Sequence, residues 1–122
     1  MPDAKTREPR YFKDADGSEP VRDWLAELKR KGKHIEVSRI RTSIQRASQG
    51  NFGFHRFLAG SLGELKIDYG AGYRVYFGLD GTTFVLLLNG GTKESQQEDI
   101  KLAGVRWKRY LDEKSKETKH GR

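Results

Sequence analysis

A stretch of alternating residues between Leu62 and Leu88 constrains the fold of this chain more than any other feature. The first run alternates charged and apolar side chains, in the order Glu64, Leu65, Lys66, Ile67, Asp68 and Tyr69. The second run places Arg74 and Tyr76 between the apolar positions Tyr73, Val75 and Phe77. A third run, 84–88, is apolar throughout. A two-residue period is typical of β-strands, and Gly-rich turn signals separate the runs, so the sequence predicts a three-stranded antiparallel β-meander.

Helical periodicity flanks this meander on both sides. The first segment begins near Pro20 and places on one face Val21, Trp24, Leu25 and Leu28. The second runs from His34 to Gln49, with an inward face formed by Ile40, Ile44 and Ala47. The third runs from Glu94 to Tyr110, with Ile100, Ala103 and Trp107 at helical spacing. With a short edge strand predicted at 10–12, these segments indicate an α+β domain in which two N-terminal helices pack on a small antiparallel meander and a helix follows it.

At 122 residues the chain has the size of one domain, which we place at residues 1–110. Residues 111–122 have almost no apolar side chains, so we expect a polar, disordered tail. The chain has no Cys and three scattered His, so no disulfide, thiolate chemistry, metal site or cofactor is expected. With neither an apolar run of membrane-spanning length nor a signal-peptide pattern, we expect a cytoplasmic protein that does not bind membranes.

The positive charge is concentrated outside the predicted sheet. Residues 1–61 hold 13 basic and 8 acidic side chains, and residues 105–122 hold 7 and 3. Residues 62–104, by contrast, hold 4 basic and 6 acidic side chains, within a net charge of +7 for the whole chain. This pattern fits solvated helix faces, and it also fits the electrostatic footprint of a protein that binds nucleic acid.

Two cations are predicted to share one open face of the meander. We expect a hairpin at Gly70–Gly72 that pairs Tyr69 with Tyr73. Lys66 and Arg74 then lie diagonally across two strands, about 7–8 Å apart before the reach of their side chains. A guanidinium binds two phosphate oxygens at once, so Arg74 is the strongest candidate for a catalytic phosphate contact. The alternative is an exposed ion pair between Arg74 and Asp68, which contributes little energy.

Further candidates surround this pair. Lys66 offsets phosphate charge or exchanges a proton, and Glu64 on the same face is a candidate general base for a ribose 2′-hydroxyl, or else the ion-pair partner of Lys66. Lys93 follows a glycine pair after the apolar run, where the backbone and the ammonium group can approach a phosphate. The alternative for Lys93 is a plain strand-to-helix connection.

Three residues are candidates for binding the substrate. Tyr76 can stack on an exposed base, or it is simply a cross-strand surface aromatic. His55 carries an imidazole and is a candidate acid or base, although it lies in a predicted loop. Arg56 adds a cation beside it.

The same residues carry a family resemblance. The string from Glu64 to Phe77, Glu-Leu-Lys-Ile-Asp-Tyr-Gly-Ala-Gly-Tyr-Arg-Val-Tyr-Phe, is followed by a Leu-rich strand, Gly-Gly-Thr-Lys and Gln-x-x-Asp-Ile-x-x-Ala. This pattern resembles the RelE/ParE superfamily of toxins from bacterial toxin–antitoxin modules, in the HigB-like or addiction module killer protein branch. The resemblance covers roughly residues 10–105. The sequence departs from it at Thr92, where the family more often has Asp, and it lacks a His–His dyad.

The resemblance implies a metal-independent endoribonuclease that cuts mRNA on the ribosome and so inhibits translation. In that family the arginine at the position of Arg74 holds the scissile phosphate, and a basic residue occupies the position of Lys66. The implied partners are the ribosome, mRNA and a cognate antitoxin, typically a helix-turn-helix protein. Two alternatives stay open: a ParE-type inhibitor of DNA gyrase that acts by protein binding, and a non-catalytic RNA-binding domain.

Overall fold

Five strands and three helices make up the part of the chain that the computed structural model describes, residues 6–120, with side chains as far as Glu117. The elements follow one another as β1 (Glu8–Tyr11), α1 (Pro20–Arg30), α2 (His34–Ser48), β2 (His55–Ala59), β3 (Leu62–Ile67), β4 (Tyr73–Asp80), β5 (Phe84–Thr92) and α3 (Gln96–His120). The predicted α+β class is confirmed, and so are the two helices between the first strand and the meander. None of the described helices is long and apolar enough to cross a membrane.

The strands form one sheet in the order β1-β5-β4-β3-β2. The predicted meander is present, since β3 pairs antiparallel with β4, and β4 pairs antiparallel with β5. The expectation of a purely antiparallel sheet is wrong, because β1 pairs parallel with β5 and makes the sheet mixed. The first strand also precedes the two helices, so the helices are not the first elements of the fold. β2, which was not predicted, extends the sheet at the other edge by pairing with β3.

One hydrophobic core lies between the sheet and the two helices α1 and α2. Its buried side chains from the helices are Val21, Leu25, Leu28, Val37, Ile40, Ile44 and Ala47. The sheet contributes Leu65, Ile67, Tyr73, Val75, Phe77, Val85 and Leu87. The amphipathic periodicity therefore identified this face correctly, because each helix buries one apolar stripe and each strand buries alternate residues.

A second core lies on the opposite face, under α3. It contains Phe12, Leu62, Tyr76, Leu86, Leu88, Ala103 and Trp107. The apolar run in β5 is buried on both faces, as the sequence predicts for a central strand. The expectation of an open sheet face is wrong for most of the meander, because Trp107 lies directly over Gly78 in β4.

Polar contacts hold both flanks of α3 against the body of the protein. Asp14 accepts hydrogen bonds from Arg106 at 3.2 Å and from Arg109 at 2.8 Å. Near the end of β4, Asp80 accepts hydrogen bonds from Tyr110 and Lys114. The predicted disordered tail is therefore wrong for residues 111–120, which continue α3. Residues 121–122 lie outside the described part of the chain.

Candidate active site

Five of the residues predicted from the sequence line one cleft of about 450 Å³ near the β2 edge of the sheet. These residues are His55, Arg56, Glu64, Lys66 and Arg74. Two residues that the sequence did not single out as site residues, Phe54 and Gln96, complete the lining. The cleft lies where the first turn of α3 meets β3, so it is the part of this sheet face that α3 leaves open.

Lys66 and Arg74 are direct cross-strand partners in this cleft. The predicted diagonal placement is wrong, because the last pair of the hairpin is Ile67 with Tyr73, and residues 68–72 form the connecting loop. Inside that loop the Gly72 N–H donates to the Tyr69 carbonyl at 3.1 Å, which closes a turn before β4 begins. Directly opposed residues project from the same sheet face, and like charges at such positions repel. This arrangement favours an anion between them.

Arg74 is buried, with 6% of its surface exposed. Its Nη1 donates to the Gly72 carbonyl at 2.7 Å, and its Nε lies 3.9 Å from Oε2 of Glu64. The Nε hydrogen has no acceptor among the described residues. Because a buried donor without a partner is costly, the guanidinium has capacity for an anionic ligand at the cleft. The alternative of an exposed pair with Asp68 is wrong.

Gly72 fits closely against this guanidinium. Its φ of +75° lies in the left-handed region, and a Cβ there would come 3.1 Å from Nη1 of Arg74. Glycine at this position therefore allows both the turn and the hydrogen bond that orients Arg74.

Glu64 organises the other side of the cleft. Its carboxylate accepts hydrogen bonds from Arg56 Nε at 2.7 Å and from Gln96 Nε2 at 2.9 Å. Burial alone raises the pKa of Glu64, but these hydrogen bonds outweigh it, so that its pKa lies below the usual value. A lowered pKa makes the carboxylate a weak base. The geometry favours a role in positioning Arg56 and Gln96 over the predicted role of general base.

Tyr76 is completely buried, so the prediction that it stacks on a base is wrong. It lies beneath α3 in the second core, and burial, followed by the charge of Glu64, raises the pKa of its hydroxyl. The exposed aromatic at the cleft is Phe54, with 75% of its surface accessible. Phe54 was not predicted as a site residue. The sequence pattern that indicates it is an aromatic residue in the short Gly-containing segment directly before His55.

His55 lies at the rim of the cleft, at the start of β2 rather than in a loop. Its ring packs against Phe52 and Phe57, with centroids 5.4 Å and 5.6 Å apart. Nδ1 lies 3.0 Å from the Gly53 carbonyl, which only accepts hydrogen bonds. Nδ1 therefore carries the hydrogen, and in the neutral ring Nε2 is the free base.

Lys93 lies beside the cleft rather than in its lining. Its Cβ is 3.4 Å from the point where a Cβ on Gly72 would lie. The preceding glycines belong to β5, not to a phosphate-binding loop. Side chains at these positions would collide with neighbours, Gly90 with Trp24 and Gly91 with Asp99. Close packing against Trp24 and Asp99 thus explains both glycines.

Within the described residues, no three His, Cys, Asp or Glu side chains are grouped so that they could hold a metal ion. No family model matches the chain. An uncharacterized protein of Haemophilus influenzae (strain Rd) is 40% identical to it over 81 residues, which are 66% of this chain and 78% of that protein. The chain belongs to the same family as this Haemophilus influenzae protein.

Proposed function

We propose that this protein is a toxin of the RelE/ParE superfamily, an endoribonuclease that cuts mRNA on the ribosome. The observation that carries the proposal is the direct opposition of Lys66 and Arg74 in a cleft where the Nε of Arg74 has no acceptor. Two like charges on adjacent strands repel each other. Glu64 is the one carboxylate among the described residues that line the cleft, so the lining keeps a net positive charge that a phosphodiester offsets. Arg56 adds a third cation to the lining.

In the proposed reaction, the ribose 2′-oxygen attacks the adjacent phosphorus and the bond to the 5′-oxygen breaks. The products are a cyclic phosphate and a 5′-hydroxyl. Arg74 and Lys66 bind the phosphate oxygens and stabilise the charge that grows on them in the transition state. His55 accepts the 2′-hydroxyl proton at Nε2, and the ammonium of Lys66 donates a proton to the departing 5′-oxygen. Glu64 holds Arg56 in place, and Lys93 contributes charge from the side of the cleft.

We infer a RelE-like arrangement, in which α1 and α2 cover one face of the meander and α3 covers the other. The basic faces outside the sheet bind ribosomal RNA, because clustered Lys and Arg release counterions from a phosphate backbone. A cognate antitoxin, a small helix-turn-helix protein encoded beside it, masks the cleft in the cytoplasm.

The decisive experiment is cleavage of a defined mRNA by the purified full-length protein with and without ribosomes. We expect ribosome-dependent cuts whose downstream fragments begin with a 5′-hydroxyl. Arg74→Ala should lose this activity, while Arg10→Ala, an arginine on the opposite edge strand β1, should keep it.

Induced expression in cells supplies a second measurement. Methionine incorporation should fall before thymidine incorporation. The reverse order, without mRNA cuts, would assign the protein to the gyrase inhibitors. Binding to ribosomes without any cleavage would instead assign the protein as a non-catalytic RNA-binding domain.

A further inference from the structure

A second groove of about 490 Å³ adjoins the candidate active site. It lies between α2 and the end of β3, and Phe54 and Lys66 line both the groove and the cleft. The two depressions are therefore neighbours that share a boundary of one aromatic ring and one ammonium group. An extended ligand bound in the cleft can therefore continue past Phe54 into this groove.

The lining of this groove carries an excess of positive charge. Arg39, Arg46 and Lys66 lie along it, against one carboxylate, Asp68. Within the described part of the chain, none of the three cations is in an ion pair. The guanidinium of Arg39 instead lies 4.3 Å from the centre of the Tyr69 ring, which holds it at the edge of the groove. Such a groove matches a chain of phosphates.

Phe54 gives the boundary a second kind of chemistry. Its ring is 75% exposed, more than that of the other large apolar side chains on the described surface. An exposed aromatic ring between two cationic depressions suits a single-stranded nucleic acid, because every base has a flat face that stacks on an aromatic ring. A duplex keeps its bases stacked on each other and gains nothing from such a ring.

We propose that this groove is a binding track for the RNA strand next to the cleavage point. One base stacks on Phe54, and the neighbouring phosphates contact Arg46 and Arg39, while Lys66 stands between the track and the cleft. The inference deepens the proposed nuclease function and rests on it. It assigns Phe54 as a residue that positions the substrate, in place of the buried Tyr76.

The test is binding of a fluorescent, uncleavable 2′-O-methyl RNA of eight nucleotides to the full-length protein, measured by fluorescence anisotropy. Phe54→Ala should weaken binding roughly tenfold. Ile35→Ala is the matched control, because Ile35 is also an exposed apolar side chain, at 58%, but lies outside the groove lining. It should leave the affinity unchanged.

A second pair of variants tests the charges. Arg46→Ala should make the dependence of log Kd on log salt shallower by about 0.7. Arg41→Ala is the matched control, because Arg41 lies on the same helix but outside this groove. Melting curves establish that each variant is folded.

The outcomes separate this inference from the nuclease proposal. Wild-type affinity in both Phe54→Ala and Arg46→Ala would overturn the track, even if the protein cuts mRNA normally. Equal affinity for duplex and single-stranded RNA would also overturn it. Selective loss of RNA binding in these variants, in a protein that cuts nothing, would support the track and refute the nuclease. If these variants no longer bound a co-expressed protein partner but still bound RNA with wild-type affinity, the groove would be a protein interface instead.

Discussion

Lys66 on β3 and Arg74 on β4 face each other directly across the sheet, and the two side chains differ sharply in exposure. Arg74 is buried at 6% exposure and is tied to the Gly72 carbonyl, whereas Lys66 is exposed to solvent. The pair thus combines a guanidinium held by a hydrogen bond with a solvent-exposed ammonium group. A fixed fork suits recognition of phosphate oxygens, and a flexible amine suits neutralisation of charge and transfer of a proton.

The first prediction concerns the shape of the Arg74 side chain. Arg74→Lys keeps the charge but loses the planar fork and the hydrogen bond to Gly72, so mRNA cleavage should fall nearly as far as in Arg74→Ala. For loss of a transition-state contact we expect a decrease on the order of 10²–10³ in rate. Lys66→Arg, the reciprocal change, should also lower activity, because a guanidinium keeps the charge but does not release a proton to the leaving oxygen. Full activity in Arg74→Lys would mean that charge alone matters.

The second prediction concerns Gly72. Gly72→Ala should lower stability by about 1–2 kcal/mol, because alanine is strained in the left-handed region. Gly32→Ala is the control, since Gly32 has a φ of +80° but open space around the position of a Cβ. Both variants should show a similar drop in the free energy of unfolding by urea. Only Gly72→Ala should also lose cleavage activity, because its Cβ crowds Arg74. Equal activity in the two variants would contradict the positioning role.

The third prediction is a pH dependence of stability. The pKa of Glu64 is lowered in the folded state from a reference value of 4.5, so its ionised form stabilises the fold. This contribution is complete above the unfolded-state pKa and is lost as the pH falls through the folded-state pKa.

Glu64→Gln should therefore be less stable than the wild type at pH 7, and the difference should shrink as the pH falls below 4.5. Urea unfolding at pH 7 and at pH 3 measures it. Comparing the two proteins at each pH separates Glu64 from Asp14 and Asp80, whose pKa values are also lowered. A difference that does not change with pH would refute the assignment.

The fourth prediction concerns α3. Trp107 is 8% exposed and packs over Gly78, and its ring stacks on Tyr110 with centroids 5.5 Å apart. Trp107→Ala should cost about 3–5 kcal/mol of stability, as expected for loss of a buried aromatic ring. Val105→Ala, at a position 65% exposed on the same helix, should change stability by less than about 0.5 kcal/mol. Similar melting temperatures for the two variants would show that α3 is not part of the cooperative fold.

Much of the local structure followed from patterns in the sequence. Periods of two and of 3.6 residues identified the meander and all three helices, because each element must bury one face. The boundaries were less accurate where the signal was weak. β2 was missed because its run, His55–Ala59, lies in an exposed edge strand with little alternation. The end of α3 was missed because residues 111–117 are exposed, so no apolar stripe extends there.

Most of the residues that line the candidate site were predicted from the sequence, but their geometry was not. His55, Arg56, Glu64, Lys66 and Arg74 were all named from the sequence, and they line one cleft. The roles of the site residues could not be predicted, because they depend on the contacts that α3 makes with this face of the sheet. Burial of Tyr76 and the hydrogen bond from Gln96 to Glu64 come from α3, which begins more than twenty residues after β3 ends, and no local pattern contains these contacts.

The sequence by itself determined the three strands of the meander, the presence of three helices, which strand is central and which strands of the meander carry the cations. Tertiary structure alone decided the register that sets Lys66 against Arg74, the parallel pairing of β1 and the closure of one sheet face by α3. The physical reason is the range of the interactions. Periodicity records whether a residue is buried, whereas register and cover depend on loop geometry and on contacts between segments far apart in the chain.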